Sequence, residues 1–313
     1  MDFDVFNGDA DGIISLVQLR LSDPREAELV TGRKRDINLL DRVSAEKGDR
    51  VTVLDISMRS NLDDTKRILY EGASILYFDH HNAGEDIDHP NLEAHINTAG
   101  EICTAVLVDR YLDGAHRAWA VTASYGDNFP AMAERLAAGH DLPLEALKNL
   151  GEMANYNGYG ATVADLHFHP ADLYREMNGF ATPMDFLSQK PDVIGKLTQG
   201  YAEDFRMAEG SKTLVSDEKG EIRVLPDAAA SRRISGMFGN QLAQENPDRA
   251  HGILTEQEGG YLVSIRAPIS KRAGADTLAL QFETGGGRAA AAGINHLQTC
   301  DVDRFVEAFR NAF

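Results

Sequence analysis

The residues best suited to chemistry are carboxylates and histidines that stand directly after short apolar runs. The runs Phe3–Phe6, Val51–Leu54 and Ile75–Phe78 have the length and the β-branched or aromatic composition of buried strands. They lead into acidic and imidazole side chains, which are Asp9 and Asp11, then Asp55, then Asp79, His80 and His81. A further acid, Asp127, follows the apolar run Trp119–Ala123. Because the carboxyl ends of parallel strands border one crevice, these groups are predicted to converge there.

Each motif also has a plain structural explanation. Asp9-Ala10-Asp11-Gly12 fits a turn that begins a helix, and a single Asp after a strand is often a helix N-cap. Asp79-His80-His81 is harder to explain in this way, because an acid and two imidazoles at the end of a buried strand cost free energy unless they have partners. Five candidate oxygen or nitrogen ligands taken together therefore favour one shared site.

Carboxylates, imidazole and water are ligands that suit a hard or borderline divalent cation such as Mn²⁺ or Mg²⁺. None of the motifs contains Cys, which argues against a structural zinc site. Two cations about 3.5–4 Å apart can clamp the attacking and leaving oxygens of an in-line displacement at phosphorus. Gly8 and Gly12 permit a backbone bend that would let Asp9 and Asp11 address different cations.

The elements that would position these groups predict an α/β fold. Strand-like and helical patterns alternate up to about residue 100, which is typical of a mostly parallel sheet, and helical patterns dominate from Glu101 to Met177. Pro183 and Pro191 mark a boundary. We predict a catalytic domain at residues 1–190, a connecting helix or linker at 191–218 and a smaller α/β domain at 219–313.

Composition narrows the class of protein. The net charge of −18 argues against a broad basic surface for non-specific binding of duplex nucleic acid. The two cysteines, Cys103 and Cys300, cannot form a disulfide framework and suit a reducing compartment. No apolar window is long enough to span a membrane, and the N-terminus lacks the pattern of a signal peptide. The expectation is a cytoplasmic protein of unknown oligomeric state.

The order of the motifs resembles that of the DHH phosphoesterases, a family named after the motif that Asp79-His80-His81 matches. The resemblance implies that the two cations, Mn²⁺ or alternatively Mg²⁺ or Co²⁺, are held by Asp9, Asp11, Asp55, His80 and Asp127. It also implies that Asp55 bridges the cations and that Asp79 orients an imidazole. His81 would contact the scissile phosphate or assist proton transfer.

The C-terminal part carries a second resemblance, to the DHH-associated domain. Gly285-Gly286-Gly287-Arg288 with the following Ala289–Gly293 is similar to its glycine-rich element, and Val263–Arg266 is similar to its arginine-bearing strand. The resemblance implies that a substrate phosphate is held by Arg266, Gly286, Gly287 and Arg288. A glycine-rich turn lets backbone N–H groups approach an anion, and Arg supplies a planar fork.

The chain departs from the family pattern at three positions. Val5 replaces a His of oligoribonuclease-like and pyrophosphatase-like members, Asn7 replaces a further Asp of RecJ-like members, and Arg288 replaces the His of the glycine-rich element. One cation would then be held more weakly, with the Asn7 carbonyl or water as a substitute ligand. These departures bear on the choice of substrate more than on the type of reaction.

The leading hypothesis is a metal-dependent phosphodiesterase. Its substrate would be a short oligonucleotide, a single-stranded nucleic-acid end or a cyclic dinucleotide. One alternative is a phosphoanhydride hydrolase that acts on pyrophosphate or polyphosphate, although the glycine-rich element weighs against it. The other is an inactive scaffold that binds nucleic acid, which would have no physical need for five convergent ligands.

Overall fold

The computed structural model describes all 313 residues, which form two units, Met1–Gln199 and Gly200–Phe313. The first unit begins with β1 (Asp2–Phe6), α1 (Ala10–Ser22), β2 (Glu28–Val30), β3 (Arg50–Leu54), α2 (Leu62–Tyr70), β4 (Ser74–Asp79) and β5 (Leu92–Ile96). All five strands are parallel, in the order β2-β1-β3-β4-β5. The predicted mostly parallel α/β sheet is therefore confirmed.

Helices make up the rest of the first unit. They are α3 (Thr104–Tyr111), α4 (Arg117–Gly126), α5 (Pro130–Ala137), α6 (Leu144–Asn157), α7 (Pro170–Met177) and α8 (Pro183–Gln189). α1 contacts β1, β3 and the helices α3, α4, α6 and α7, and its residues from Ala10 to Arg20 are all buried. A helix buried on every side is part of the core.

A buried ion pair connects α1 with the sheet. The guanidinium of Arg20 donates to both carboxylate oxygens of Asp4 and, at 3.0 Å, to Thr52 Oγ1. Arg20 and Asp4 are almost fully buried, so a planar two-point contact is needed to satisfy both charges. This contact holds the end of α1 against β1 and β3, which leaves the beginning of α1 at the opposite, carboxyl edge of the strands.

The helix α9 (Pro191–Glu209) contains the boundary between the units. The second unit continues with β6 (Lys212–Ser216), β7 (Gly220–Leu225), α10 (Ala229–Glu245), β8 (Ala250–Gln257), β9 (Gly260–Arg266), α11 (Ala275–Ala279), β10 (Gly285–Arg288), β11 (Ala291–Gln298) and α12 (Val302–Ala312). Its sheet has the order β10-β11-β9-β8-β7-β6, and only β7 and β8 are parallel. This mixed α/β unit agrees with the predicted smaller second domain.

Two predicted features differ in the structure. Residues 212–216 fall in the predicted linker but form β6, which pairs with β7. Gly285–Arg288, predicted as a glycine-rich turn, is the edge strand β10, because its backbone pairs with β11 despite the absence of side chains on its glycines. β5 is an edge strand and has no buried apolar pattern from which it could be predicted. No helix is both long and apolar enough to cross a bilayer.

Candidate metal centre

The ends of three neighbouring strands bring most of the predicted ligands together. β1, β3 and β4 lie side by side in parallel, and their carboxyl ends lead to Asp9, Asp55 and Asp79. Asp55 has a left-handed backbone with φ of +59°, a conformation in which Asp is one of the more tolerated residues. This bend follows β3 directly, where its backbone N–H still donates to Phe78 O of β4.

Asp9 is the N-cap of α1. Its Oδ1 accepts hydrogen bonds from the backbone N–H groups of Asp11 and Gly12, at 3.0 and 3.1 Å, and its Oδ2 lies 2.6 Å from Lys34 Nζ. Burial would raise the pKa of this carboxyl, but the charge and hydrogen bond of Lys34 outweigh burial and hold the pKa below its usual range. The N-cap explanation considered for the sequence motif therefore describes one oxygen of Asp9.

Asp11 reaches across to another helix. Its Oδ2 and Oδ1 accept hydrogen bonds from the backbone N–H groups of Thr104 and Ala105, both at 2.7 Å, at the beginning of α3. A carboxylate at a helix N-terminus interacts favourably with the helix dipole and with unpaired N–H groups. Asp11 thus fixes α3 against the strand ends while it stays fully buried.

Asp55 lies among other carboxylates. Its Oδ1 accepts a hydrogen bond from Thr104 Oγ1 at 3.2 Å and lies 3.4 Å from His80 Nε2. Burial, followed by the charges of Asp11 and Asp9, raises the pKa of Asp55 well above its usual range. Such mutual repulsion is expected where carboxylates are arranged to share a cation.

His80 points one nitrogen at three carboxylates. Its Nε2 lies 3.4 Å from Asp55 Oδ1, 3.6 Å from Asp127 Oδ2 and 3.9 Å from Asp11 Oδ2. The ring packs edge-on against Phe129, with the centroids 6.0 Å apart. His80 is therefore the member that links the acids from β3, α1 and α4.

Asp127 follows a helix and not a strand. The apolar run Trp119–Ala123 belongs to α4, and Asp127 is the residue at its C-terminal end. This agrees with the mainly helical pattern predicted for Glu101–Met177, although the run packs on all sides among helices, so its length and hydrophobicity alone do not distinguish it from a strand. Burial and the charges of Asp11 and Asp9 raise the pKa of Asp127 to about 7.

His81 is oriented by Asp79. The His81 Nδ1 lies 2.8 Å from Asp79 Oδ1, and the side chain of His81 is 47% exposed whereas that of Asp79 is fully buried. This hydrogen bond raises the pKa of His81. The other oxygen of Asp79, Oδ2, is buried and has no hydrogen-bond partner. The imidazole that Asp79 orients is thus His81, whose Nε2 is left for another partner.

Two polar residues border the cluster. Asn7 is buried; its Nδ2 donates to Lys34 O at 3.2 Å, while its Oδ1 has no partner in the chain. Lys34 lies in the loop after β2, and its Nζ contacts Asp9, Asp127 and Asn155. No motif or periodic pattern surrounds Lys34 in the sequence, so only the folded chain reveals that it belongs to the cluster.

The donor set fits a divalent cation. Ligand atoms of Asp11, His80 and Asp127 lie within 4.8 Å of one another, and so do those of Asp55, His80 and His81. Buried carboxylates that raise one another's pKa, together with one imidazole, form an oxygen-rich set suited to Mn²⁺ or Mg²⁺. Asp9 belongs to neither group, since its oxygens already face N–H groups and Lys34.

The predicted substrate-binding residues lie in the second unit. The guanidinium of Arg266 is held by hydrogen bonds to Asn240 Oδ1, Ser264 Oγ and Gly236 O, at 2.6, 2.9 and 3.1 Å. Arg288 is exposed at the end of β10, and its side chain takes part in no hydrogen bond or ion pair within the unit.

The glycines of β10 have different reasons to be glycine. A Cβ at Gly285 would lie 1.8 Å from Ala279 O, and one at Gly287 would lie 2.5 Å from Ala292 Cα, where φ is also +141°. A Cβ at Gly286 would meet nothing within 4 Å. The fold therefore accounts for two of the three glycines and leaves Gly286 unexplained.

The whole chain is similar to known structures. A DHH domain from a protein described as belonging to a family of ribosomal proteins matches 99% of this chain and 85% of its own, with a TM-score of 0.67 and 14% identity. RecJ of Thermus thermophilus, solved with Mn²⁺, matches 99% of this chain with a TM-score of 0.60 and 13% identity. The match spans 51% of that RecJ chain. The fold is that of DHH proteins.

A third similar structure is PggH of Vibrio cholerae, described as a pGpG-specific phosphodiesterase. It matches 99% of this chain and 100% of its own length, with a TM-score of 0.57 and 16% identity. Neither a scan against protein-family models nor a search of curated proteins returns a match. The structural likeness confirms the DHH phosphoesterase fold that the order of the motifs predicts.

Proposed function

We propose that the chain is a metal-dependent phosphodiesterase. The observation that carries the proposal is the convergence of Asp11, Asp55, Asp127 and His80 on one point at the carboxyl edge of the parallel sheet. The fold supports it, because the described pGpG phosphodiesterase and the Mn²⁺-bound RecJ share it. Mn²⁺ is the cation that we expect, with Mg²⁺ or Co²⁺ as substitutes.

The residues of the cluster have different proposed roles. Asp11, Asp55, Asp127 and His80 would hold the cation, which when bound supplies Lewis-acid stabilisation of charge on a phosphoryl group. Asp11 and Asp55 are fixed by hydrogen bonds from α3, so these ligands need little reorganisation. Fixed ligands of this kind keep a reacting group in place at no further cost in entropy.

His81 is suited to donate a proton to the leaving oxygen. Its Nδ1 faces Asp79 and keeps a proton, and the raised pKa favours the charged imidazolium. Nε2–H can then donate to a phosphate oxygen or to the leaving oxygen, a role that needs an accessible ring. Its 47% exposure meets this requirement, whereas His80 at 14% is the more enclosed ring.

The proposed substrates are short oligonucleotides, single-stranded ends or cyclic dinucleotides. The net charge of −18 disfavours long duplexes. We propose that the second unit binds the substrate through Arg288, which has no partner of its own, and through backbone N–H groups of the edge strand β10. An edge strand leaves one row of N–H and C=O groups unpaired, and the N–H groups of that row can donate to an anion. Arg266 would act with them.

A substrate panel tests this function. Purified protein is incubated with and without Mn²⁺ with a 5′-phosphorylated dinucleotide, single-stranded RNA and DNA, a cyclic dinucleotide and pyrophosphate, and products are separated by chromatography. We expect metal-dependent release of mononucleotides or linear dinucleotides. Orthophosphate from pyrophosphate alone would instead indicate an anhydride hydrolase. If protein with bound Mn²⁺ hydrolyses none of these substrates, the result would favour a scaffold.

A further inference from the structure

Lys34 places a positive charge inside the carboxylate cluster. Its Nζ lies 2.6 Å from Asp9 Oδ2 and 3.4 Å from Asp127 Oδ1. The same ammonium group donates to Asn155 Oδ1 at 3.0 Å. Lys34 thus bridges an acid from the beginning of α1 and an acid from the end of α4, as a cation would.

Both the backbone and the side chain of Lys34 are held by neighbouring residues. The backbone N–H of Lys34 donates to Gly158 O at 2.9 Å, and its carbonyl accepts from Asn7 Nδ2 at 3.2 Å. The ring of Tyr159 lies 5.7 Å from Nζ, within the range of a cation–π contact. The side chain of Lys34 is 26% exposed, against 3% for that of Asp9. These contacts describe an anchored side chain and not a surface lysine that happens to lie near an acid.

The remaining donors form two overlapping groups. The two groups whose ligand atoms lie within 4.8 Å of one another are Asp11, His80 and Asp127, and Asp55, His80 and His81. Both contain His80 and neither contains Asp9. Asp9 directs one oxygen at two backbone N–H groups and the other at Lys34.

We infer that the ammonium group of Lys34 takes the place of one of two cations, so that the centre binds a single divalent ion through Asp11, Asp55, Asp127 and His80. This inference rests on the proposed function, whose metal centre it specifies. Like charges a few ångströms apart in a buried site repel strongly. A second divalent ion beside Asp9 would therefore have to displace Lys34 and break its contacts with Asp9, Asp127 and Asn155. This inference departs from the expectation of two cations that the family resemblance implies.

Such a built-in charge has a chemical consequence. A lysine supplies one fixed positive charge that cannot exchange with solvent, whereas a second ion would add two and would depend on its concentration. Activity should then follow the free Mn²⁺ concentration as a simple saturation curve with a Hill coefficient of one. Lys34 would act here as a positioning residue, because it holds Asp9 and Asp127 in place without being a ligand.

Counting the bound metal tests the inference without any turnover. Mn²⁺ is removed by chelation and titrated back, and the amount bound per chain is measured by equilibrium dialysis and by electron paramagnetic resonance. We expect one Mn²⁺ per wild-type chain, with the signal of an isolated ion. In Lys34→Met, which keeps the length of the side chain but not its charge, we expect two and the signal of a coupled pair. Lys66→Met, which removes an exposed lysine paired only with Glu85, should keep one.

Three outcomes distinguish the claims. Two coupled Mn²⁺ ions in the wild-type chain would overturn the inference, whether or not the variant folds, and so would a single ion in a folded Lys34→Met variant. One Mn²⁺ in the wild type and two in the variant, but no turnover of any substrate, would uphold the inference and refute the proposed function. No bound Mn²⁺ in the wild type would refute the metal centre itself, and with it both proposals.

Discussion

The acids of the candidate metal centre and the arginine at the edge strand β10 differ in how their charges are held. Asp11 and Asp55 are buried, and hydrogen bonds from α3 fix both of them. Arg288 is exposed and has no partner within its unit. Burial fixes the geometry of the carboxylates, which a catalytic centre can use, at the cost of repulsion between their charges. Exposure leaves an arginine able to follow a bound phosphate, at the cost of side-chain entropy on binding.

The largest expected effect is that of Asp55→Asn. The amide can keep the hydrogen bond from Thr104 Oγ1 and tolerates the positive φ of this position, so the fold should be retained. Turnover should fall by about 1,000-fold, because one of the charged side chains proposed to hold the cation is lost. At pH 8 the metal-free variant should unfold at a higher temperature than metal-free wild type, because one of several repelling charges is gone. Kinetics and thermal unfolding in a chelator measure the two effects. Unchanged turnover would remove Asp55 from the centre.

Asp79→Asn should have the next largest effect. It removes the charge that faces His81 Nδ1, so the pKa of His81 should fall toward that of an unperturbed imidazole. Loss of such a partner typically costs about 10- to 100-fold in activity. Titration of the His81 ring by NMR and the pH dependence of kcat should shift together. A fall in activity with no change in the pKa of His81 would point to a structural role for Asp79.

Arg288→Ala tests the exposed side of the comparison. If Arg288 contributes mainly ground-state binding, KM should rise by about 10-fold while kcat changes little, since one charged hydrogen-bonded contact is lost. The thermal stability of the variant should equal that of wild type, because Arg288 has no partner within its unit. A large loss in kcat at constant KM would instead place Arg288 at the transition state.

Gly286→Ala tests whether a substrate approaches the backbone of β10. The added methyl group meets nothing within 4 Å, so the variant should fold like wild type. KM should nevertheless rise by roughly threefold or more if phosphate oxygens contact the backbone there, as glycine permits. Gly285→Ala is the matched comparison, because its Cβ would lie 1.8 Å from Ala279 O and should lower the melting temperature. An unchanged KM in Gly286→Ala would argue against backbone contact.

The smallest expected effects are on the pH dependence of local stability, which should have opposite signs in the two units. Burial and neighbouring acids raise the pKa of Asp127 to about 7, so the stability that its proton contributes is present in acid and is lost as the pH rises toward 7. Burial lowers the pKa of His251 in β8, so stability there is lost as the pH falls below about 6.5. Hydrogen exchange, corrected for intrinsic rates, should show protection of α4 in metal-free protein falling from pH 5 to 8.

Protection of β8 should fall in the reverse direction, from pH 7 to 5. Mn²⁺ should abolish the trend in α4 and leave that in β8, because only Asp127 is a proposed ligand. His251→Leu should flatten the trend in β8. Trends of the same sign in both units would contradict this difference.

Much of the candidate centre follows from local patterns. Short apolar runs predict β1, β3 and β4, and parallel pairing of neighbouring strands then brings Asp9, Asp55 and Asp79 to one edge. Their proposed chemical roles stay predictions. The position of Asp127 is harder to predict, because a buried helix and a buried strand can have the same apolar run. β5 and β10 escape prediction since edge strands need no continuous buried face.

The sequence by itself determined the α/β class and the residue types gathered at the strand ends, because strand periodicity and ligand chemistry are local properties of the chain. Only the tertiary structure decided that Asp11 joins the N-terminus of α3, 93 positions away, and that Lys34 lies against Asp9. A loop lysine has no periodic pattern, and its charge acquires a role only when burial brings it within 2.6 Å of a carboxylate. The inferred number of cations therefore depends on packing, since packing determines which charges must share one buried volume.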